Sequence, residues 1–238
     1  SELSKGRRWH IASRVFPGSR YPTTRVSSCR AHQAHCTPTH CITGKSIRPS
    51  LPSGEDSEWL RGLMKKSAES RGGHPVNLLR VSEGKRPANM IWLWGQGTAP
   101  VMPTMKERYN LDGAVISAVD LVKGLGRYAG LEVIEVPGAT GWLDTDYAAK
   151  ANHALRELQN RDFVYVHVEA PDEASHSGDL QAKVEAIERF DPLLLGTLLA
   201  GLDAIPEYRI LNLPAHATPP ALQTQTSATP PSPHLRPA

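Results

Sequence analysis

Asp172 and His176 stand four residues apart in the stretch APDEASHSGD (170–179), directly after the apolar run DFVYVHVE. If Pro171 opens a helical turn, that spacing projects a carboxylate and an imidazole from one helix face, close enough to share a ligand. A carboxylate with a neutral imidazole suits Mn2+, Zn2+ or a similar divalent ion. Two ligands do not complete a site, and the competing reading is a helix cap beside a surface histidine. Gly178-Asp179 reads as the start of the next helix, with Asp179 favoured by its N-terminal dipole. Lys123 falls just inside another expected helix N-terminus, where an anion would meet backbone N–H groups as well as the ammonium; the alternative is a solvated lysine. Ser175 and Ser177 lie in no G-x-S-x-G elbow. Gly95/Gly97 and Gly138/Gly141 make no dinucleotide fingerprint and read as turn glycines.

The elements that must position these residues come from apolar periodicity. Short runs at 90–94 (MIWLW), 113–119, 131–136, 162–169 and 208–213 (YRILNL) read as strands. Helices are expected at 56–69, 119–129, 145–160 and 178–200, the last interrupted at Pro192. In DTDYAAKANHALRELQN, Asp144 or Thr145 caps the helix, and Tyr147, Ala151, Ala154 and Leu158 form its inward stripe. Strands alternating with helices predict an α/β fold with a mostly parallel sheet and helices on both faces. Ligands of such sheets gather at the carboxyl ends of the strands. The residues following the five runs include Gly95-Gln96-Gly97, Lys123, Gly138–Gly141, Asp172 with His176, and His216.

Charge and composition divide the chain. Residues 1–50 hold nine Lys or Arg against the single acid Glu2, about +8 of a total of +3 over all 238 residues. The basic balance therefore belongs to the first fifty residues, and nucleic-acid binding by the folded part is not expected. All three cysteines (Cys29, Cys36, Cys41) lie there, in a spacing unlike the paired motifs of structural zinc sites. No run approaches a membrane span and no secretory signal is evident, so a cytoplasmic location is expected. From Pro214 the chain has seven prolines and no acid. The expected organisation is a basic, disordered segment at 1–54, a helical stretch at 55–88, an α/β domain at 89–226 and a Pro-rich tail at 227–238.

The strings HPVNLLRVSEGKRPANMIWLWGQG, GAVISAVDLVKGLGRYAGLEVIEVPGATG, DFVYVHVEAPDEASHSGD and ILNLPAHATP occur in this order. Over residues 56–226 the chain resembles the cofactor-independent phosphoglycerate mutases of the archaeal-type branch, which belong to the alkaline-phosphatase-like metalloenzymes. The resemblance implies two divalent ions, manganese first, with magnesium, zinc or cobalt as alternatives. It also implies a serine or threonine nucleophile and a small phosphorylated substrate, 3-phosphoglycerate, converted to 2-phosphoglycerate in glycolysis. Asp172 and His176 match the family's ligands to one metal, and His216 matches the histidine of an Asp-His pair for the other. Lys123 matches a lysine on the transferring phosphoryl group, and Arg80 a substrate-binding arginine.

The departures are equally specific. The Asp-His pair reads Ala215-His216, and a family Thr-His-Thr reads Thr224-Gln225-Thr226. The family's opening strand, its Asp-Gly and its nucleophile have no match in residues 1–54, so the resemblance implies a non-family segment there and, at 55–88, only the tail of the family's inserted domain. The expectation is an incomplete fold and a chain lacking its N-terminal half, without a catalytic nucleophile and inactive alone. A homoserine-kinase-type activity and a non-catalytic phospho-ligand binder are the alternatives. An oligomer is left open.

Overall fold

The computed structural model of the protein describes residues 12–13, 33–42, 44–95 and 101–229, and the chain forms two compact units, 1–100 and 101–238. Cys29, Gln96, Gly97 and residues 230–238 are among the sequence features that lie outside the described residues.

The first unit is built on α1 (Ser57–Arg71), whose Leu60 and Met64 are each 1% exposed and pack with Ala34, Trp92 and Leu93. Full burial of such side chains stabilises by roughly 1.5–3 kcal/mol each. A second helix, α2 (Pro75–Ser82), begins with proline at its first turn, where the missing N–H is no loss, and His74 Nδ1 accepts from Val76 N. Between the helices and the residues before β2, Asn77 donates to Arg71 O and Ala88 O and accepts from Ala88 N, all at 2.8 Å.

Two expectations change here. Residues 33–42 and 44–54, assigned from composition to a disordered segment, are held into this core. His35 and Ser53 form a bridge, Trp92 Nε1 donates to Thr37 O at 2.7 Å, and Arg61 Nε donates to Pro52 O at 2.6 Å. The stretch shows no period because scattered single contacts, not a regular face, fix it. The run MIWLW is likewise not a strand of the parallel sheet. Strand β1 (Ala12–Ser13) pairs antiparallel with β2 (Leu93–Trp94), and Trp92 and Leu93 complete the core of the first unit, not of the α/β unit expected from residue 89.

The second unit carries the parallel sheet. After a short helix α3 (Met105–Tyr109), capped by a reciprocal Thr104–Glu107 box, come β3 (Gly113–Ile116), α4 (Asp120–Tyr128), β4 (Glu132–Ile134), α5 (Tyr147–Leu158) and β5 (Phe163–Val166). The strand order is β4-β3-β5, all parallel, with Ala114 opposite both Glu132 and Val164. All four residues of β3 are buried, as a central strand covered on both faces requires. Successive side chains point to opposite faces. Val115 meets α4, where a Cβ on Gly126 would lie 2.4 Å from Val115 Cγ1, so only glycine allows that approach. Ile116 packs with Ala154 of α5. Helices therefore cover both faces, as expected.

Beyond β5 come α6 (Ala170–His176), α7 (Leu180–Phe190), a π-helical segment at Asp191–Gly196 that begins with Pro192 in its first turn, and α8 (Thr197–Leu202). Pro192 offers no N–H to the helical ladder, and the wider turn is the local consequence. Asp179 caps α7 by accepting from Ala182 N at 2.9 Å. The cap of α5 is Asp146, accepting from Ala149 N at 2.8 Å, rather than Asp144 or Thr145. Those two close the preceding loop, where Thr140 donates through its hydroxyl to Asp144 and through its N–H to Thr145 Oγ1. The run YRILNL forms no strand, only a bridge residue at Leu211, and Leu211 and Leu213 stay exposed. Tyr208, Ile210 and Asn212 alternate with them and are half-buried, so the run covers one face only.

Candidate metal centre

In the order β4-β3-β5 the chain leaves β3 toward β4 and then crosses back to β5. The connections diverge between β3 and β5, the position at which open parallel sheets form a crevice beyond their carboxyl ends. The first residues past those two strands meet there: Ser117 Oγ lies 3.3 Å from His167 Nδ1. His167 Nε2 in turn lies 3.3 Å from Glu169 Oε2. Ser117 Oγ also accepts from Val119 N at 2.9 Å, which fixes the turn into α4.

Helix α6 begins one residue beyond Glu169, with Pro171 in its first turn. Asp172 and His176 share its face, and His176 Nε2 lies 3.2 Å from Asp172 Oδ2. The loop at 214–226 closes over them. Thr218, 4% exposed, donates from Oγ1 to Asp172 Oδ1 at 2.6 Å, and His216 Nδ1 lies 3.0 Å from the same hydroxyl. His176 Nδ1 lies 2.9 Å from Gln223 O, and Gln225 Nε2 lies 3.2 Å from His216 Nε2. Lys183 of α7 donates to Thr218 O at 2.9 Å and pins the loop from below. Gly178 has φ +76°, which favours glycine for the turn, and a Cβ there would displace the end of the Gln223 side chain.

The protons of this network can be counted. Gln223 O accepts only, so His176 carries its proton on Nδ1 and directs Nε2 at Asp172. The Thr218 hydroxyl has one proton, committed to Asp172, so His216 Nδ1 donates to Thr218 and His216 Nε2 keeps its lone pair toward the Gln225 amide. At His176 a proton or a cation must lie between Nε2 and Oδ2. The hydrogen bond to Asp172 raises the His176 pKa, with partial burial opposing it. At Asp172 burial pushes the carboxyl up, but the hydrogen bonds from His176 and Thr218 outweigh it and hold the pKa below the usual value.

This donor set fits a divalent ion in part. Asp172 Oδ2 and His176 Nε2 converge, with the second imidazole nitrogen anchored on a carbonyl as ligating histidines are. His216 joins the same carboxylate through Thr218, its Nδ1 3.7 Å from Asp172 Oδ1, but its free nitrogen faces Gln225. Among the described residues no three His, Cys, Asp or Glu side chains converge on one point. Asp172, His176 and His216 are thus brought together, although the sequence assigned His216 to a second ion.

Lys123 and Arg80 are not part of this network. Lys123 Nζ sits 2.7 and 2.9 Å from the two carboxylate oxygens of Glu135, just past β4. Arg80 is on α2 of the first unit, donating from Nε to Arg86 O at 2.9 Å. The Ser175 and Ser177 hydroxyls donate to the carbonyls of Pro171 and Ala174, both at 2.7 Å, a backbone role in keeping with the absence of an elbow.

Sequence reasoning passed over Ser117, His167, Glu169, Thr218 and Lys150. His167 and Glu169 alternate past β5 in VHVE, which places both on one side and was a readable signal. Lys150 sits three residues after Tyr147 and four before Ala154, inside the inward stripe of α5, and is 0% exposed. A lysine in an apolar stripe was the signal there. Burial lowers its pKa to about 8, with Glu169 opposing. Burial also lowers the pKa of His167, and the Lys150 charge adds to that.

Comparison with known proteins agrees with this architecture. The metalloenzyme superfamily profile matches residues 11–234, further toward the N-terminus than the strings at 56–226. A 2,3-bisphosphoglycerate-independent phosphoglycerate mutase of Methanothrix thermoacetophila is 51% identical over 222 residues, 92% of this chain and 56% of that protein. A probable enzyme of the same name from Geobacter sulfurreducens is 52% identical over 191 residues, 80% of this chain and 48% of that protein. The solved structure of the PH0037 protein from Pyrococcus horikoshii aligns with TM-score 0.56 and 32% identity over 71% of this chain and 44% of that chain. The chain spans about half the length of the curated relatives it matches. With a profile match over nearly its whole length and a parallel sheet presenting a carboxylate and two imidazoles beyond its strand ends, the chain belongs to the metalloenzyme superfamily.

Proposed function

We propose that this chain forms the metal-binding part of a phosphoglycerate-mutase-type isomerase acting on a small phosphorylated acid, with 3-phosphoglycerate as substrate and manganese as the ion. The observation that carries the reading is the convergence of Asp172 Oδ2 and His176 Nε2 at 3.2 Å, with His176 Nδ1 fixed on Gln223 O. The identity of 48–52% to proteins named as such mutases supports the substrate class. Place in glycolysis and a cytoplasmic location follow from the same reading. Among the described residues no helix is long and apolar enough to cross a membrane.

Asp172 and His176 would hold the ion, and His216 would join them once its Nε2 leaves Gln225. A divalent cation there supplies positive charge for phosphoryl oxygens and lowers the pKa of a coordinated hydroxyl. Lys123 offers a second positive charge. The Lys123 side chain is 19% exposed but its partner Glu135 is 74% exposed, so the carboxylate is the solvated member of the pair and a phosphoryl group can take its place. Thr218 holds Asp172 in rotamer while its own backbone is held by Lys183. The 238-residue chain alone is proposed to bind without turnover, since Ala215 and Gln225 occupy positions where the resemblance expects ligands.

The test is Mn2+ titration followed by electron paramagnetic resonance, with Asp172→Asn and His176→Ala beside the unaltered chain. Saturable binding lost in both variants supports the site; binding unaffected by either removes it. A coupled assay for 2-phosphoglycerate formed from 3-phosphoglycerate with Mn2+ present checks the second half, and turnover above background would overturn the proposed inactivity of the chain by itself.

A further inference from the structure

Lys150 has no role in the binding scheme above, yet among the described residues it is the largest fully buried side chain. Its ammonium nitrogen donates to the main-chain carbonyl of His167 at 3.1 Å. That carbonyl belongs to the turn between β5 and α6, the segment that aims Asp172. The opposite side of the same residue is tied to β3, with His167 N donating to Ile116 O at 2.8 Å and the ring resting against Ser117. The next link is Glu169, whose carboxylate meets His167 Nε2 and whose carbonyl accepts from Asp172 N at 2.9 Å and Glu173 N at 3.1 Å. A chain of direct contacts thus runs from Lys150 through His167 and Glu169 to the first turn of α6.

A lysine in this position is not what packing selects. Its neighbours on the α5 stripe are Tyr147, Ala151 and Ala154, all buried, and a methionine of similar length would fill the space without desolvating an amine. Buried ionisable groups retained against that penalty concentrate where geometry matters to function. We infer that Lys150 is a positioning residue: by gripping the His167 carbonyl it fixes the β5–α6 turn and so the placement of Asp172 and His176 as a ligand pair. The inference rests on the metal-binding reading for its purpose, but the mechanical claim stands on the Lys150–His167 contact alone.

The experiment compares the full chain with Lys150→Met and Lys150→Arg by three readouts: thermal midpoint, Mn2+ affinity, and amide hydrogen exchange resolved over 167–177. Lys150→Met is expected to keep or raise the thermal midpoint, weaken Mn2+ binding about tenfold or more, in the range typical of lost outer-shell partners, and speed exchange at 169–173 several-fold while α5 amides are unchanged. Lys150→Arg, which retains a donor, is expected to recover part of the affinity if it folds. A Lys150→Met protein with unchanged Mn2+ affinity and unchanged exchange over 167–177 overturns the inference. If the unaltered chain binds no Mn2+, the metal reading falls, and the exchange comparison still decides the positioning role.

Discussion

Lys150 places an ionisable amine in the interior of the second unit, and its titration is coupled to folding. Its side chain is fully buried and its pKa lies at about 8 instead of 10.5. At about 1.4 kcal/mol for each pH unit, that gap corresponds to about 3 kcal/mol of folding free energy. The sign follows from proton counting. Below pH 8 both folded and unfolded chains hold the proton, and the folded state bears the full penalty of a buried ammonium. Between pH 8 and 10.5 the unfolded chain binds more protons than the folded one, so stability gains from this group as pH rises. Most of the gain, about 2–3 kcal/mol, is complete by pH 10. The assay is urea unfolding at pH 7, 8, 9 and 10 for the unaltered chain and Lys150→Met, with stability differences taken at each pH so that other titrations cancel. Loss of the bond to His167 O adds an offset of about 1–3 kcal/mol, but that offset does not vary with pH. The decisive quantity is therefore the slope of the difference. The unaltered chain should gain about 2–3 kcal/mol on the variant from pH 7 to pH 10, and a difference that does not change with pH would refute the buried amine.

Two further perturbations probe the loop that covers the site. Thr218→Val preserves shape but strips Asp172 of a donor and His216 of an acceptor; a loss of about 1–3 kcal/mol in urea unfolding is expected, and less than about 0.5 kcal/mol would mean the hydroxyl does not hold the network. Gly178→Ala should cost about 1–2 kcal/mol from the left-handed backbone alone, plus the displacement of Gln223. Combining it with Gln223→Ala should recover only the second part. Full recovery would show that the backbone angle is not restrictive, and no recovery that the two residues do not meet.

The legible and illegible parts of the chain separate along physical lines. The run at 113–119 was readable because β3, buried on both faces, must be apolar at nearly every position, and those at 131–136 and 162–169 because the half-buried β4 and β5 still carry apolar residues at most positions. Their helices were readable because each buries one stripe, and Pro192 and Asp179 mark breaks and starts through local backbone chemistry. YRILNL carried the same signal as β5 and forms no strand, since a pattern states what could be buried and not whether a strand ladder forms there. Residues 33–42 and 44–54 failed in the opposite direction: their order comes from contacts such as Trp92 to Thr37, 55 residues apart, which leave no trace in local sequence. At the site, the i,i+4 spacing of Asp172 and His176 foretold a contact that a helix makes unavoidable. Thr218 could not be foreseen as the link between Asp172 and His216, because it reaches Asp172 across 46 positions from an irregular loop.

The proton held between His176 Nε2 and Asp172 Oδ2 ties the closed network to its proposed use. Gln223 O fixes the other imidazole proton in place, so the shared site offers room for one positive charge, either that proton or a cation. Occupation by Mn2+ must therefore expel it, as metal binding at protonated ligands does in general. Calorimetric titration of Mn2+ in buffers of differing ionisation enthalpy should show close to one proton released per ion at a pH below the raised pKa of His176, and progressively less above it. Affinity should climb with pH over the same interval. His176→Gln removes the proton and should abolish the buffer dependence whether or not weak binding through Asp172 survives. Binding by the unaltered chain with no proton release would place the ion somewhere other than between these two side chains.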